Sequence, residues 1–578
     1  MLALLHRTLF VAILMLVAVG LDGAAAQDAV KWTPVTDERL LNAARDPNNW
    51  LQYYRTQDGW SYSPLSQVNA GNVKRLQIKW MKSLGELGEQ QSFPMVNNGV
   101  MIVTAANIPH NTVYALDAAT GKQLWKWTKK TPEDLTAFAR IHPQSRAVAL
   151  YENTVIVPTL DAKLIALDAK TGKQVWESTV ADYKDGYYLN SPPLVAKGLL
   201  IIGPAGPGEM GIRGWAAAFD AKTGQEVWRF WTVPEPGQPG GDTWEGDSWQ
   251  RGGGSIWLPP TYDAQSDTVF FATGNPSPFI DAVRKGDNLY TNSVLAVDRA
   301  TGKIKWHYQY VPADAWDFDT MNEHTVLTLK RDGKDVPAVV SFHKPGFVTA
   351  LDRRDGTILY AKKFTKNVDW AEGIDMKTGR PIEAPGKRPV MGGDKIEMCP
   401  ALLGSRNWVP SSYSPQTGLV YVPTLDLCMK YGYVKELKWT RGLAYVGVAW
   451  EAVQKGENAG AIRAYNPNTG DMAWEHMTKA PPIHSGLLST GGGLVFFQTL
   501  EGQFRALDAK TGKLVWEHNN GQLASTGPIS YTVNGKQHIA VVVGGKTRIR
   551  GWFAAERKLD HLLDMNFNGL LVVYGLPD

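Results

Sequence analysis

The segment VPADAWDFDTMNEH, residues 311–324, carries two carboxylates two positions apart, Asp317 and Asp319. If its backbone is extended, alternate side chains point to one side, so both can approach one hard cation. Taken alone, the same pair also suits a solvated acidic loop. Other chemically capable groups stand just beyond apolar runs: Glu209 in GPAGPGEMGIRGW after IIG, Asn275 in FFATGNPSPF, and Lys344 in AVVSFHKPGF. A polar group at a strand end lies where loops meet, and loops on a rigid frame carry function. Trp257 ends GGGSIW, outside any repeat and after a glycine run.

The frame is legible as a repeat. ALDAATGKQLW begins at Ala115, ALDAKTGKQVW at Ala166, AFDAKTGQEVW at Ala218, AVDRATGKIKW at Ala296 and ALDAKTGKLVW at Ala506, with weaker copies ALDRRDGTILY at Ala350 and AYNPNTGDMAW at Ala464. Each reads as a strand, an Asp or Asn that turns the chain, a Gly that takes positive φ, and a second strand delivering an aromatic ring. A ring at fixed offset from a small Ala predicts a repeated contact between units, the indole filling the space that Ala leaves. The spacings between turn residues are 51, 52, 78, 54, 114 and 42, about one four-stranded blade each with two long insertions. LQIKW ending at Trp80 and HIAVVVGG from His538 are read as two halves of an eighth unit. The expected fold is therefore an all-β, eight-bladed β-propeller whose ring is closed by the N- and C-terminal segments, which leaves no free sheet edge.

Composition bounds the function. The chain has 578 residues, a net charge of +4 and two Cys. The charge is small and dispersed, which argues against nucleic acid. Two cysteines exclude a multi-disulfide scaffold, a four-cysteine zinc site and a Cys-x-x-Cys-His haem attachment, so a redox centre must be borrowed and non-haem, or held by oxygen and nitrogen ligands. No Gly-x-Gly-x-x-Gly opens a helix after a strand, which disfavours a nicotinamide enzyme. Arg7, the apolar stretch from Thr8 to Leu21, and Ala24-Ala25-Ala26 before Gln27 read as a cleaved secretory signal over residues 1–26. The apolar stretch is shorter than the roughly 20 residues of a spanning helix. The expected product is a single propeller domain, 27–578 with a C-terminal tail at 546–578, exported to the periplasm without a membrane span.

Together these features resemble the pyrroloquinoline quinone-dependent alcohol dehydrogenases, the methanol and ethanol dehydrogenase family of quinoproteins, from about Trp50 to about Gly545. The resemblance implies that Asp317 is the general base and that Asp319 marks a site for a lanthanide, with calcium as the alternative. A trivalent ion needs one more carboxylate for neutrality, in keeping with the second Asp. Glu209, Asn275, Asp317 and Asp319 would be the metal ligands. Trp257 would stack on the quinone, Arg146 pair with its carboxylate, and Lys344 hydrogen-bond its reactive oxygens and act in catalysis. Asn407 and Trp408 match a further cofactor contact, and Gly208 a backbone contact in a segment that carries Pro204 and Pro207 and is one residue longer than usual. Gln91 and Asn190 stand where relatives have Glu and Thr. Cys399 and Cys428 stand where the family has a structural disulfide.

One departure is larger. The adjacent Cys-Cys pair found over the cofactor in most alcohol-oxidising relatives corresponds here to Arg140 and Ile141, leaving Ile141 or His142 to close that face. This weakens the link to the methanol branch and leaves room for sugars or larger alcohols. The implied activity is oxidation of primary alcohols to aldehydes, with electrons passed to a soluble cytochrome c and a homodimer as a possible assembly. The alternatives are a sugar or polyol dehydrogenase of the same cofactor class, and a non-catalytic assembly propeller built on a similar hairpin repeat.

Overall fold

The computed structural model describes residues 30–85, 90–105, 108–138, 144–545 and 568–577. The expected signal segment 1–26, the trio Arg140, Ile141 and His142, and residues 546–567 and 578 of the expected tail lie outside them.

The repeated turns share one construction. At the first, Asp117 Oδ1 accepts from Ala119 N at 3.0 Å, Thr120 N at 2.8 Å and Thr120 Oγ1 at 2.9 Å. Gly121, at φ +74°, closes the turn by donating its N–H to the Asp117 carbonyl at 2.8 Å. The Asp–Thr bonds recur at Asp168, Asp220, Asp298 and Asp508. A short carboxylate that captures local amides, followed by a residue free to take positive φ, is what makes this sequence a tight hairpin.

Across each hairpin the small and the large residue face one another: Ala115 with Trp125, Ala166 with Trp176, Ala218 with Trp228, Ala296 with Trp306, Ala350 with Tyr360, Ala464 with Trp474, and Ala506 with Trp516. The ring also reaches the neighbouring unit at the glycine of its turn. Trp80 lies over Gly121, Trp125 over Gly172, Trp176 over Gly224, Trp228 over Gly302, Trp306 over Gly356, Tyr360 over Gly470 and Trp474 over Gly512. A methyl group on Gly121 would stand 2.5 Å from the Trp80 ring, so glycine is needed for the contact as well as for the turn. Several indoles also donate to a turn carbonyl, as Trp125 Nε1 does to Ala169 O at 2.9 Å and Trp228 Nε1 to Arg299 O at 3.0 Å.

Strand pairing gives seven four-stranded sheets and one five-stranded sheet among the described residues, with smaller two- and three-stranded sheets beside them. One four-stranded sheet has the order Gln77–Ser83, Leu570–Gly575, Lys536–Val543, Ile529–Val533. The two segments expected to form one unit do share a sheet, but Leu570–Gly575 separates them. This corrects the assignment of 546–578 as a tail: LLVVYG is an apolar strand between two partners, and it lacks the Asp–Gly–Trp signature by which the other units are recognised. Trp516, from the five-stranded sheet, meets Tyr574 of this strand edge-on at 5.8 Å.

The longest insertion builds the sheet of Ile396–Met398, Leu427–Tyr433 and Val448–Gln454. Cys399 and Cys428 form a disulfide within it. No helix among the described residues is long and apolar enough to cross a membrane.

Candidate functional site

The Asp-x-Asp segment leaves the strand Ile304–Gln309 as an irregular loop. Asp314 organises it: Oδ1 accepts from Trp316 N and Oδ2 from Phe318 N, both at 2.9 Å. Between those amides Asp317 takes φ +63°, a left-handed conformation that costs a non-glycine residue about 1–3 kcal/mol. The extended backbone expected here is therefore replaced by a turn, because a buried carboxylate captures the amides on either side of Asp317. Asp317 and Asp319 still converge, and the group they meet is Lys344. Its Nζ donates to Asp317 O at 2.8 Å, lies 3.3 Å from Asp317 Oδ2 and pairs with Asp319 Oδ1. Lys344 follows the strand Lys334–Phe342, and all three side chains are buried.

The electrostatics follow from that crowding. Burial pushes the Asp317 carboxyl well above the usual range, the Lys344 charge pulls it back, and Asp319 and Glu209 raise it again. Burial alone would weaken the hold of Lys344 on its proton, but Asp317 and Asp319 outweigh burial and strengthen it. Glu209 is pushed up to about 7 by burial and then by the charge of Asp319, against the pull of Lys344.

Glu209 sits on the short turn Pro207–Met210 beyond the strand Leu199–Ile202. Tyr445 N donates to its carbonyl at 2.6 Å, and Trp439 Nε1 to that of Met210 at 3.1 Å. Asn275 lies beyond the strand Thr268–Ala272 and is wholly buried. Its Nδ2 donates to Pro276 O at 3.2 Å, while its Oδ1 has no protein partner. A methyl group on Gly208 would stand 2.6 Å from that oxygen, so the absence of a side chain lets the Glu209 turn and Asn275 lie side by side. A buried carbonyl oxygen without a protein partner, beside the turn that carries Glu209, is the kind of oxygen donor a hard cation takes. Among the described residues no three His, Cys, Asp or Glu side chains converge into a ready cage; the Lys344 ammonium holds the aspartates instead.

Arg146 assembles the second part of the site. Its guanidinium lies over the rings of Trp257 at 5.1 Å and Trp408 at 4.7 Å, and Nη1 donates to Ser191 Oγ and Trp257 O, each at 3.3 Å. Its main chain pairs on both sides, donating to Asn190 O at 2.9 Å and accepting from Phe93 N at 2.7 Å, which brings Asn190 and the segment of Gln91 alongside. Asn190 Oδ1 and Trp257 Nε1 are buried without a partner. An indole face, a guanidinium and unspent amide and indole polar atoms fit a flat, acidic, aromatic ligand. Asn407 differs: Nδ2 donates to Leu403 O at 2.8 Å and Oδ1 accepts from Trp408 N at 3.0 Å, so its amide is spent on its own segment. That segment links the two parts, because Ser405 N donates to Lys344 O at 2.8 Å.

Three contributors were not singled out by sequence. Asp314 had a signal, an Asp two residues before an amide it can accept, the pattern of an Asx turn. Ser191 had none. The buried pair of Glu323 and Arg406, whose Nη2 is 2.6 Å from both carboxylate oxygens, joins the end of the Asp-x-Asp segment to residues 405–408, and their spacing in the chain hides it.

Known proteins match the chain along most of its length. The family model "Glucose/ethanol/alcohol dehydrogenase, beta-propeller domain" matches residues 50–364. "Outer membrane protein assembly factor BamB" matches 458–559, which includes the hairpins at Ala464 and Ala506. The chain is 36% identical over 598 residues to the quinoprotein alcohol dehydrogenase PedH of Pseudomonas putida KT2440, covering 99% of this chain and 97% of that protein. It is 34% identical to the lanthanide-dependent methanol dehydrogenase of Methylacidiphilum fumariolicum SolV, covering 89% and 87%. A europium-containing methanol dehydrogenase superposes with a TM-score of 0.88 at 32% identity, covering 93% of this chain and all of that one.

Proposed function

This chain belongs to the pyrroloquinoline quinone-dependent alcohol dehydrogenases, an all-β propeller family, and from that premise we propose that it is an exported periplasmic enzyme oxidising primary alcohols to aldehydes with a lanthanide in its site. The observation that carries the reading is the convergence of Asp317 and Asp319 on Lys344, within the field of Glu209 and linked through Ser405 to the segment whose Trp408 lies against Arg146. The relay of ring-on-glycine contacts from Trp80 to Trp474, continued by Trp516 and Tyr574, supports an eight-bladed ring closed by both ends of the chain.

When bound, the quinone supplies the two-electron acceptor and the metal a Lewis acid that polarises it. Glu209, Asn275, Asp317 and Asp319 would hold the metal; Arg146, Trp257, Asn190, Gln91 and Trp408 would hold the quinone, with the backbone at Gly208. Asp317 would accept the proton of the alcohol hydroxyl, its carboxylate oriented by Lys344. Lys344 keeps its proton, orients Asp317 and presents positive charge to oxygen that gains negative charge. A soluble cytochrome c is the proposed acceptor of the electrons.

The test is dye-linked oxidation of methanol, ethanol and a sugar alcohol by protein reconstituted with the quinone and either calcium or lanthanum, beside Asp319→Ala. Activity on small alcohols that requires lanthanum and is lost in Asp319→Ala is expected. Activity with calcium alone would remove the lanthanide, preference for the sugar alcohol would move the substrate class, and no quinone binding would sink the catalytic reading.

A further inference from the structure

The left-handed turn at Asp317 needs a cause, because an isolated loop would relax to a less costly conformation. Asp314 is only 1% exposed, and its carboxylate spends one oxygen on Trp316 N and the other on Phe318 N. These are the amides immediately before and after Asp317. Its own carbonyl is held separately by the buried guanidinium of Arg284, which also donates to Pro278 O and Asn288 Oδ1, each at 2.6 Å. Arg284 therefore anchors the main chain of Asp314 and leaves its carboxylate to the amides.

We propose that Asp314 is a positioning residue for the base: by clamping the amides on either side of Asp317, it holds the one backbone conformation that turns both the carbonyl and the carboxylate of Asp317 toward Lys344. Both of its carboxylate oxygens are engaged by amides, so Asp314 acts through Asp317. The inference rests on reading Asp317 as the base. It assigns a role to the first Asp of the ADAWDFD run, three positions before Asp317.

The substitutions are Asp314→Ala, which removes both acceptors, and Asp314→Asn, which keeps one. Asp263→Asn is the control: Asp263 is also buried and also caps a turn, but at the far end of the hairpin that leads to Asn275. With quinone and europium both saturating, Asp314→Ala should lower kcat by about 10–100-fold with KM within about threefold, as loss of an orienting partner does. Asp314→Asn should fall between Asp314→Ala and the parent, and Asp263→Asn should match the parent. In quinone-free protein, europium luminescence titration should show binding weakened about tenfold in Asp314→Ala. An unchanged kcat in Asp314→Ala, or an equal loss in Asp263→Asn, overturns the proposal. If Asp314→Ala does not fold, Asp314→Asn decides by the same criteria. If the parent oxidises no alcohol, the functional reading fails, and the europium titration alone still judges Asp314, equal affinity overturning its role.

Discussion

The ammonium of Lys344 meets Asp317 at two points, 2.8 Å from the carbonyl oxygen and 3.3 Å from Oδ2, and pairs with Asp319 as well. One cation thus satisfies two buried carboxylates and a backbone group.

Removing that cation leaves two like charges buried together. In metal-free protein Lys344→Ala should lose about 3–5 kcal/mol of stability, the usual result of stripping one partner from a buried ion pair. Denaturant unfolding measures the loss, and added lanthanum should recover part of it. An unchanged midpoint would mean that the pairing of Lys344 with the aspartates contributes nothing to the stability of the fold.

Gly208→Ala places a methyl group 2.6 Å from Asn275 Oδ1. Gly208 lies in a helical turn, so backbone conformation is not the obstacle; the contact is. Asn275 must move or the turn carrying Glu209 must back away, and alcohol oxidation should fall at least about tenfold, the scale on which misplaced groups lose rate. The thermal midpoint should change little. Retained activity with an unshifted metal affinity would separate Asn275 from the metal.

The disulfide closes a segment 29 positions long. On the chain-entropy model such a cross-link contributes about 3.6 kcal/mol. The double variant Cys399→Ser with Cys428→Ser should unfold at correspondingly lower denaturant concentration, and reductant should shift the parent but not the variant.

Asp58 supplies a pH test away from the site. Burial pushes its carboxyl up to about 6, against the bond from Thr56 and two backbone amides that pull it down. The folded state then binds a proton more tightly than the unfolded chain, so this group's contribution to stability falls as pH rises from about 4 to about 6 and is level above. Asp58→Asn should therefore gain on the parent across that window, by at most about 3 kcal/mol at neutral pH. Unfolding curves of both proteins at pH 4, 5, 6 and 7 give the difference, and a gap that does not widen with pH contradicts the assignment.

The hairpin frame was legible because each unit repeats one local solution: an Asp that captures amides, a Gly at positive φ, and a ring opposite Ala. What the ring touches in the next unit was not legible, since Trp125 and Gly172 belong to different hairpins and nothing in either one names the other. Leu570–Gly575 escaped notice for a related reason: it is a strand whose partners lie elsewhere in the chain, with no turn signature of its own. In the site, the residue types and strand ends of Asp317, Asp319, Glu209, Asn275 and Lys344 pointed to chemistry, but the bend at Asp317 depends on the direction in which Asp314 turns its carboxylate. The amide of Asn407, spent on Leu403 O, shows the opposite case, a polar type whose capacity is consumed locally.

The pairing of Gln77–Ser83 with Leu570–Gly575 also ties distant parts of the chain into one sheet. Leu570–Gly575 is an inner strand, so anything that withdraws it splits that sheet and leaves Gln77–Ser83 and Lys536–Val543 each with an unpaired edge. Trp80 would then be presented to Gly121 from a strand that lacks its neighbour, and the two open edges would be templates for pairing with another chain.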